Sequence, residues 1–219
     1  MTDNLGFLTV INQAHSGLTG GYLVLNRAGR PLEFHCTSPL APDKIQQILY
    51  GDTLQPFLYG EKIAKTLIQR SKLPVLTVLT NHAAVLPVLP LVSTPIVYVF
   101  GSPAEPEVAE NSEDTPHVRE ISEELSESLK EFGIANANLR TRACGNDEEA
   151  KVPPVPGFDT SIWREVRIGN RSIAVSGAEE SAKENLISEI RGVARTIDLL
   201  EPFARIRRAL DEANVNNSA

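Results

Sequence analysis

Between Leu73 and Ala104 the chain has no Asp, Glu, Lys or Arg, although 22% of the whole protein is charged. Inside this stretch lie two β-branched runs, Pro74-Val-Leu-Thr-Val-Leu-Thr80 and Pro95-Ile-Val-Tyr-Val-Phe100. Neither alternates apolar with polar residues. A strand covered on both faces needs such an unbroken apolar run, and these strands are usually parallel and central. The two runs therefore predict the middle of a sheet. By length the stretch would also span a bilayer, but Pro87, Pro90 and Pro95 interrupt any helix there. Strand, turn and strand is the better reading, and no membrane span is expected.

The residues before this stretch read as a meander followed by helices. Gly6 to Asn12, Tyr22 to Leu25 and Pro31 to Thr37 predict three antiparallel strands, with Asn26-Arg-Ala-Gly29 as a turn. The third alternates, with Leu32, Phe34 and Cys36 on one face and Glu33, His35 and Thr37 on the other. Its Cys36 is expected to be a small core residue. Pro42 and Asp43 open one helix that stops at Gly51, and a second runs from Thr53 to Ser71 with Phe57, Ala64, Leu67 and Ile68 on its buried face. Asn81 to Thr94 leaves room for one short helix and a turn.

Beyond the uncharged stretch the composition changes sharply. Glu105, Glu107, Glu110, Glu113 and Asp114 come without a base, and Pro103 and Pro106 punctuate them, which predicts a linker. Val118, Ile121, Leu125, Leu129 and Phe132 then repeat at helical spacing up to Gly133, and Leu139 to Ala143 reads as a strand. Ile162 to Ile168 and Ser172 to Val175 form a hairpin about Gly169-Asn170. Ser176 with Glu179 offers a capping box for one long last helix that Pro202 would kink. The expected organisation is a mixed α/β core over 1–103, an acidic linker over 104–115, and a helix, hairpin and long C-terminal helix over 116–219. That last part either completes the core or forms an interaction module.

Composition narrows the function classes. A net charge of −7 argues against a global nucleic-acid or anionic-membrane surface. Met1 to Phe7 shows no basic segment leading into an apolar one, so no signal peptide is expected. The two cysteines, Cys36 and Cys144, lack CxxC spacing, and reduced thiols in the cytoplasm are expected. No GxxxxGK[ST], GxGxxG, HExxH or GxSxG motif is present.

The element order over residues 6–133 resembles the ribonuclease H-like fold superfamily. Gly21-Tyr-Leu-Val-Leu-Asn-Arg-Ala-Gly-Arg-Pro-Leu-Glu33, after a polar loop with glycine, resembles the first hairpin of its resolvase-type members. The resemblance implies one mixed sheet in which the meander joins two parallel strands. For the family's nucleases it also implies acids on the first strand and near the end of the fourth, holding two metal ions. Those acids are not matched: Phe7 to Asn12 has none, and the fourth strand ends in Thr80-Asn81-His82. Neutral amides lack the anionic oxygens that hard divalent cations demand. The resemblance thus implies a non-nuclease member, with no metal or cofactor expected. A longin- or profilin-like α+β domain is the competing architecture.

Three constellations are candidates for chemistry. Parallel central strands would gather Asn12, Gln13, His15, Asn81, His82, Gly101 and Ser102 at their carboxyl ends, where ligands approach such sheets; against this, Asn, His and Gly commonly just end strands. Glu33 and His35 share a strand face and would make an acid–base pair or a surface ion pair, whereas Cys36 points away from His35. Arg140, Arg142, Arg164, Arg167 and Arg171 form a basic stripe, joined by Arg205, Arg207 and Arg208 on the last helix, for an acidic partner or phosphate, or as solvated surface. The preferred expectation is a non-catalytic intracellular interaction or scaffold protein that self-associates or binds a protein, not a nucleic acid. The alternative is an enzyme or small-ligand-binding protein with its polar site at the strand ends.

Overall fold

The computed structural model describes residues 4–13, 17–101, 151–176 and 180–217, with side chains through 213. The expected linker, the helix over 115–133 and the strand over 139–143 lie outside the described residues, as do His15, Ser102, Arg140, Arg142, Cys144 and Glu179. The described elements are strands β1 Leu5–Gln13, β2 Gly17–Leu25, β3 Pro31–Cys36, β4 Thr77–Thr80, β5 Ile96–Val99, β6 Arg164–Ile168 and β7 Arg171–Val175. The helices are α1 Lys44–Tyr50, α2 Leu54–Pro56, α3 Lys65–Arg70, α4 Glu180–Val193 and α5 Glu201–Asn217, with a π-helix over Phe57–Ala64 and a 3-10 helix over Ala83–Leu91.

The strands form one mixed sheet in the order β3-β2-β1-β4-β5-β7-β6. β1, β2 and β3 are antiparallel neighbours, while β4 and β5 run parallel to β1. This is the α/β class expected from the two uncharged runs, and every residue of β4 and β5 is buried. The hairpin β6–β7 extends the same sheet by pairing β7 with β5.

Both faces of the sheet are covered. α4 and α5 pack on one, where Phe203 meets Phe7 edge to face with centroids 5.6 Å apart. The π-helix, α3 and the 3-10 helix pack on the other through Leu58, Ile63, Leu67, Val85 and Leu86. The pair Gly20-Gly21 sits inside β2, where successive residues face opposite sides. A Cβ on Gly20 would lie 2.1 Å from Ile63, and one on Gly21 would lie 2.3 Å from Ile206. Two adjacent glycines thus let both helical layers press onto the same strand.

Several expectations are corrected. Leu32, Phe34 and Cys36 do not face a core: Leu32 and Phe34 are 44% and 40% exposed, and Cys36 is an exposed free thiol. The reason is position, because β3 is the sheet edge and this face overhangs α5. The last helix is two helices. Asp198 accepts the Leu200 backbone N–H at 3.1 Å and starts α5 afresh, so Pro202 sits in a first turn, where its missing donor costs nothing. The Thr53–Ser71 helix includes a π-turn, whose wider winding brings Leu58, Tyr59 and Ile63 to the buried side.

Truncation should report this layering. Phe203→Ala is expected to lower the unfolding free energy by about 3–5 kcal/mol in urea titration. Ile48→Ala, at a residue 78% exposed on α1, is expected to change it by less than about 0.5 kcal/mol. Equal effects would contradict the assignment of the core.

Candidate ligand site at the strand ends

The parallel register of β1 and β4 pairs Leu8 with Thr80, so the next residues, Thr9 and Asn81, stand side by side. Thr9 donates its hydroxyl hydrogen to Asn81 Oδ1 at 2.9 Å. Thr9 and Thr80 are both buried, and Thr80 Oγ1 accepts the His82 backbone N–H at 3.3 Å. This small polar seam lies where β4 ends, beside the middle of β1, which runs on to Gln13 along β2; the carboxyl end of a central parallel strand is where ligands approach such sheets. On the α5 side, Gln13 donates to Asp211 Oδ1 at 3.2 Å. On the opposite side, the His82 ring lies against Tyr59 of the π-helix, with centroids 5.8 Å apart.

Electrostatics hold His82 neutral. Burial penalises the imidazolium, and the Arg207 guanidinium repels it, so its pKa falls from 6.5 to about 4. A neutral imidazole donates one hydrogen bond from one ring nitrogen and accepts one at the other. Burial also raises the Tyr59 phenol. Hydroxyl, amide and neutral imidazole are thus the groups at this point. Two-metal chemistry needs carboxylates, and the neutral, bonded Thr9–Asn81 pair does not fit that role. Among the described residues no three His, Cys, Asp or Glu converge to hold a metal.

The other predicted site residues are dispersed. Asn12 projects from the face of β1 opposite Thr9 and Gln13, and it is exposed. Glu33 and His35 lie on β3, three strands across from β4, or about 14 Å. His35 Nε2 is 2.7 Å from Glu33 Oε1. The Glu33 carboxylate also accepts the Ser71 hydroxyl at 2.8 Å and the backbone N–H groups of Lys72 and Leu73 at 3.1–3.3 Å. Burial would raise its pKa, but the bonds from His35, Lys72, Ser71 and Leu73 outweigh this and hold it at about 2. Glu33 is thereby committed to anchoring the turn that leads toward β4. Of the arginines, Arg164 pairs with Glu180 and Arg171 with Asp198 at 2.8 Å, while Arg167 is exposed. Arg205 binds Glu201 and the Gly29 carbonyl. Thr9 and Tyr59 escaped sequence reading: the one hydroxyl inside an apolar strand was the available signal for Thr9, and none marked Tyr59.

No family model matches the chain, and no curated protein matches it. Among solved structures the chain is similar to endonuclease V of Ciona intestinalis in complex with a 23mer DNA that contains an inosine followed by a ribo-adenosine. The identity is 14%, the TM-score 0.43, and the match covers 96% of this chain and 86% of that one. A second structure of the same enzyme, with a 24mer DNA, has 14% identity and a TM-score of 0.40, covering 96% of this chain and 87% of that one. Beside these matches the expectation of a non-catalytic scaffold with protein partners and no nucleic acid does not stand, and it gives way to its alternative. Agreement this low carries over no residue's role. Among the described residues no helix is long and apolar enough to cross a membrane.

Two pH experiments test the site and the anchor. Glu33 is more acidic when folded than its ordinary value of 4.5, so its contribution is present above pH 4.5 and is lost as pH falls toward 2. Glu33→Gln should cost about 1–3 kcal/mol at pH 7, and the difference from wild type should shrink below pH 4.5. For His82 the unfolded imidazole takes up its proton first, so stability drops as pH falls from 6.5 toward 4. His82→Phe should flatten that part of the profile in urea titrations; an unchanged slope would contradict a neutral, partly buried imidazole.

Proposed function

We propose that this chain binds a polar ligand at the carboxyl end of β4, beside the middle of β1, on a core of ribonuclease H-like type that does not use divalent metal there. The Thr9–Asn81 hydrogen bond, which joins two central parallel strands where such sheets receive ligands, carries this reading. Asn81 offers both an acceptor and donors to a ligand, and His82, held neutral, adds one donor and one acceptor. The set favours a ligand recognised through neutral hydrogen bonds. The exposed free thiol of Cys36 supports a reducing, cytoplasmic setting.

Thermal-shift screening of nucleosides, nucleotides, amino acids, organic acids and short DNA, including inosine-containing duplex, tests the proposal. A stabilising class should lose its effect in Asn81→Leu and Thr9→Val. No response from any class, or a response indifferent to Asn81→Leu, would overturn it.

A further inference from the structure

A second cleft, of about 360 Å³, lies between β6 and α4 and is lined by Arg164, Val166, Glu184, Ile187, Ser188 and Arg191. β5 and β7 separate it from β4 and the strand-end site. Arg164 and Val166 share a face of β6, and the four α4 residues fall at spacings of three and four, which puts them on one helix face. The register gives the cleft a direction. Arg164 pairs with Val175, near the start of α4, and its guanidinium is bonded to Glu180 in the first turn of that helix. That end of the cleft therefore also holds Glu184. Val166 and Ile187 both pack against the core beneath and form the middle. Ser188 and Arg191, toward the last turn of α4, form the far end.

Glu180 takes both the Arg164 guanidinium and, at 3.5 Å, the Lys183 ammonium, so the charged lining groups outside that cluster are the Glu184 carboxylate at one end and the Arg191 guanidinium at the other. Glu184 and Arg191 are seven residues apart, roughly 10 Å along the helix axis. No ion pair joins them among the described residues. Carboxylate, apolar floor and guanidinium in a line are the complement of a linear zwitterion. We propose that this cleft binds a small ω-amino acid, with its ammonium at Glu184, its aliphatic stem on Val166 and Ile187, and its carboxylate at Arg191 and Ser188. The volume lies at the small end of the usual range for ligand clefts, which suits a stem of about five or six carbons. The proposal stands apart from the strand-end site, and neither depends on the other.

Calorimetric titration of the full chain with 6-aminohexanoate, against hexanoate and hexylamine, tests it. The zwitterion should bind with Kd near or below about 1 mM, and each singly charged analogue at least about tenfold more weakly. Glu184→Gln and Arg191→Gln should each weaken the zwitterion about tenfold or more and leave the thermal midpoint unchanged, since both side chains are exposed. Absence of saturable binding up to about 10 mM, equal affinity for the analogues, or indifference to both substitutions would overturn the assignment.

Discussion

The helical layers approach the two faces of β2 through adjacent glycines, and the rest of the architecture depends on that closeness. Ile63 presses toward Gly20 and Ile206 toward Gly21, so neither layer can be displaced without opening the other's seat on the same strand. Close seating lets a short β4 and β5, four residues each, be buried completely. A fully buried strand can carry polar groups only where they find partners. Thr77 meets that demand at the start of β4 through the Pro95 carbonyl, and Thr9 and Thr80 meet it at the other end of β4 through Asn81 and the His82 backbone. The polar seam is therefore a consequence of the burial around it as well as a candidate site.

The seam is also electrostatically quiet. A carboxylate pair at Thr9 and Asn81 would repel itself strongly in so buried a place unless a cation neutralised it. A hydroxyl bonded to an amide needs no such partner and costs little to bury. The neutrality of His82 belongs to the same design, because an imidazolium beside Arg207 would add a second uncompensated charge. What this end of the sheet keeps is hydrogen-bonding directionality, and under the proposed reading a ligand there would be selected by shape and donor pattern more than by charge.

How much of this was legible follows from which physical rules are local. β4 and β5 were readable because two-sided burial writes an apolar run that nothing else in a soluble chain explains. The hairpin about Gly169 was readable because its turn needs a positive φ, here 61°. Alternation in β3 was seen, but its meaning was inverted. Pattern tells which residues share a face, whereas only the sheet order shows that this face overhangs α5. The split at Asp198 was hidden for a similar reason: a proline in a periodic run marks a kink or a restart equally well, and the capping bond decides. Asn81 and His82 could be named because they end a recognisable strand. Thr9 could not, since its importance comes from the β1–β4 register, a long-range property. Glu33 and His35 were correctly grouped on one face, yet the bonds from Ser71, Lys72 and Leu73 that give Glu33 its task come from forty residues away.

The arginines show how a charge pattern changes meaning once folded. Read along the chain, they make a stripe that invites an acidic partner. In the fold, Arg171 joins β7 to Asp198 before α5, Arg27 joins the β2–β3 turn to Glu189 of α4, and Arg205 joins α5 to the carbonyl of Gly29. Each tie connects a sheet element to the helical layer above it. Such ties add little individually when exposed. Their placement, however, fixes where α4 and α5 lie along the strands, a choice that hydrophobic packing, being non-directional, leaves loosely specified. Glu33 does the same at the opposite edge by holding the turn toward β4. The apolar layers supply the cohesion, the β1–β4 register brings Thr9 and Asn81 together, and the charged ties at the margins join the sheet to the helices packed on it.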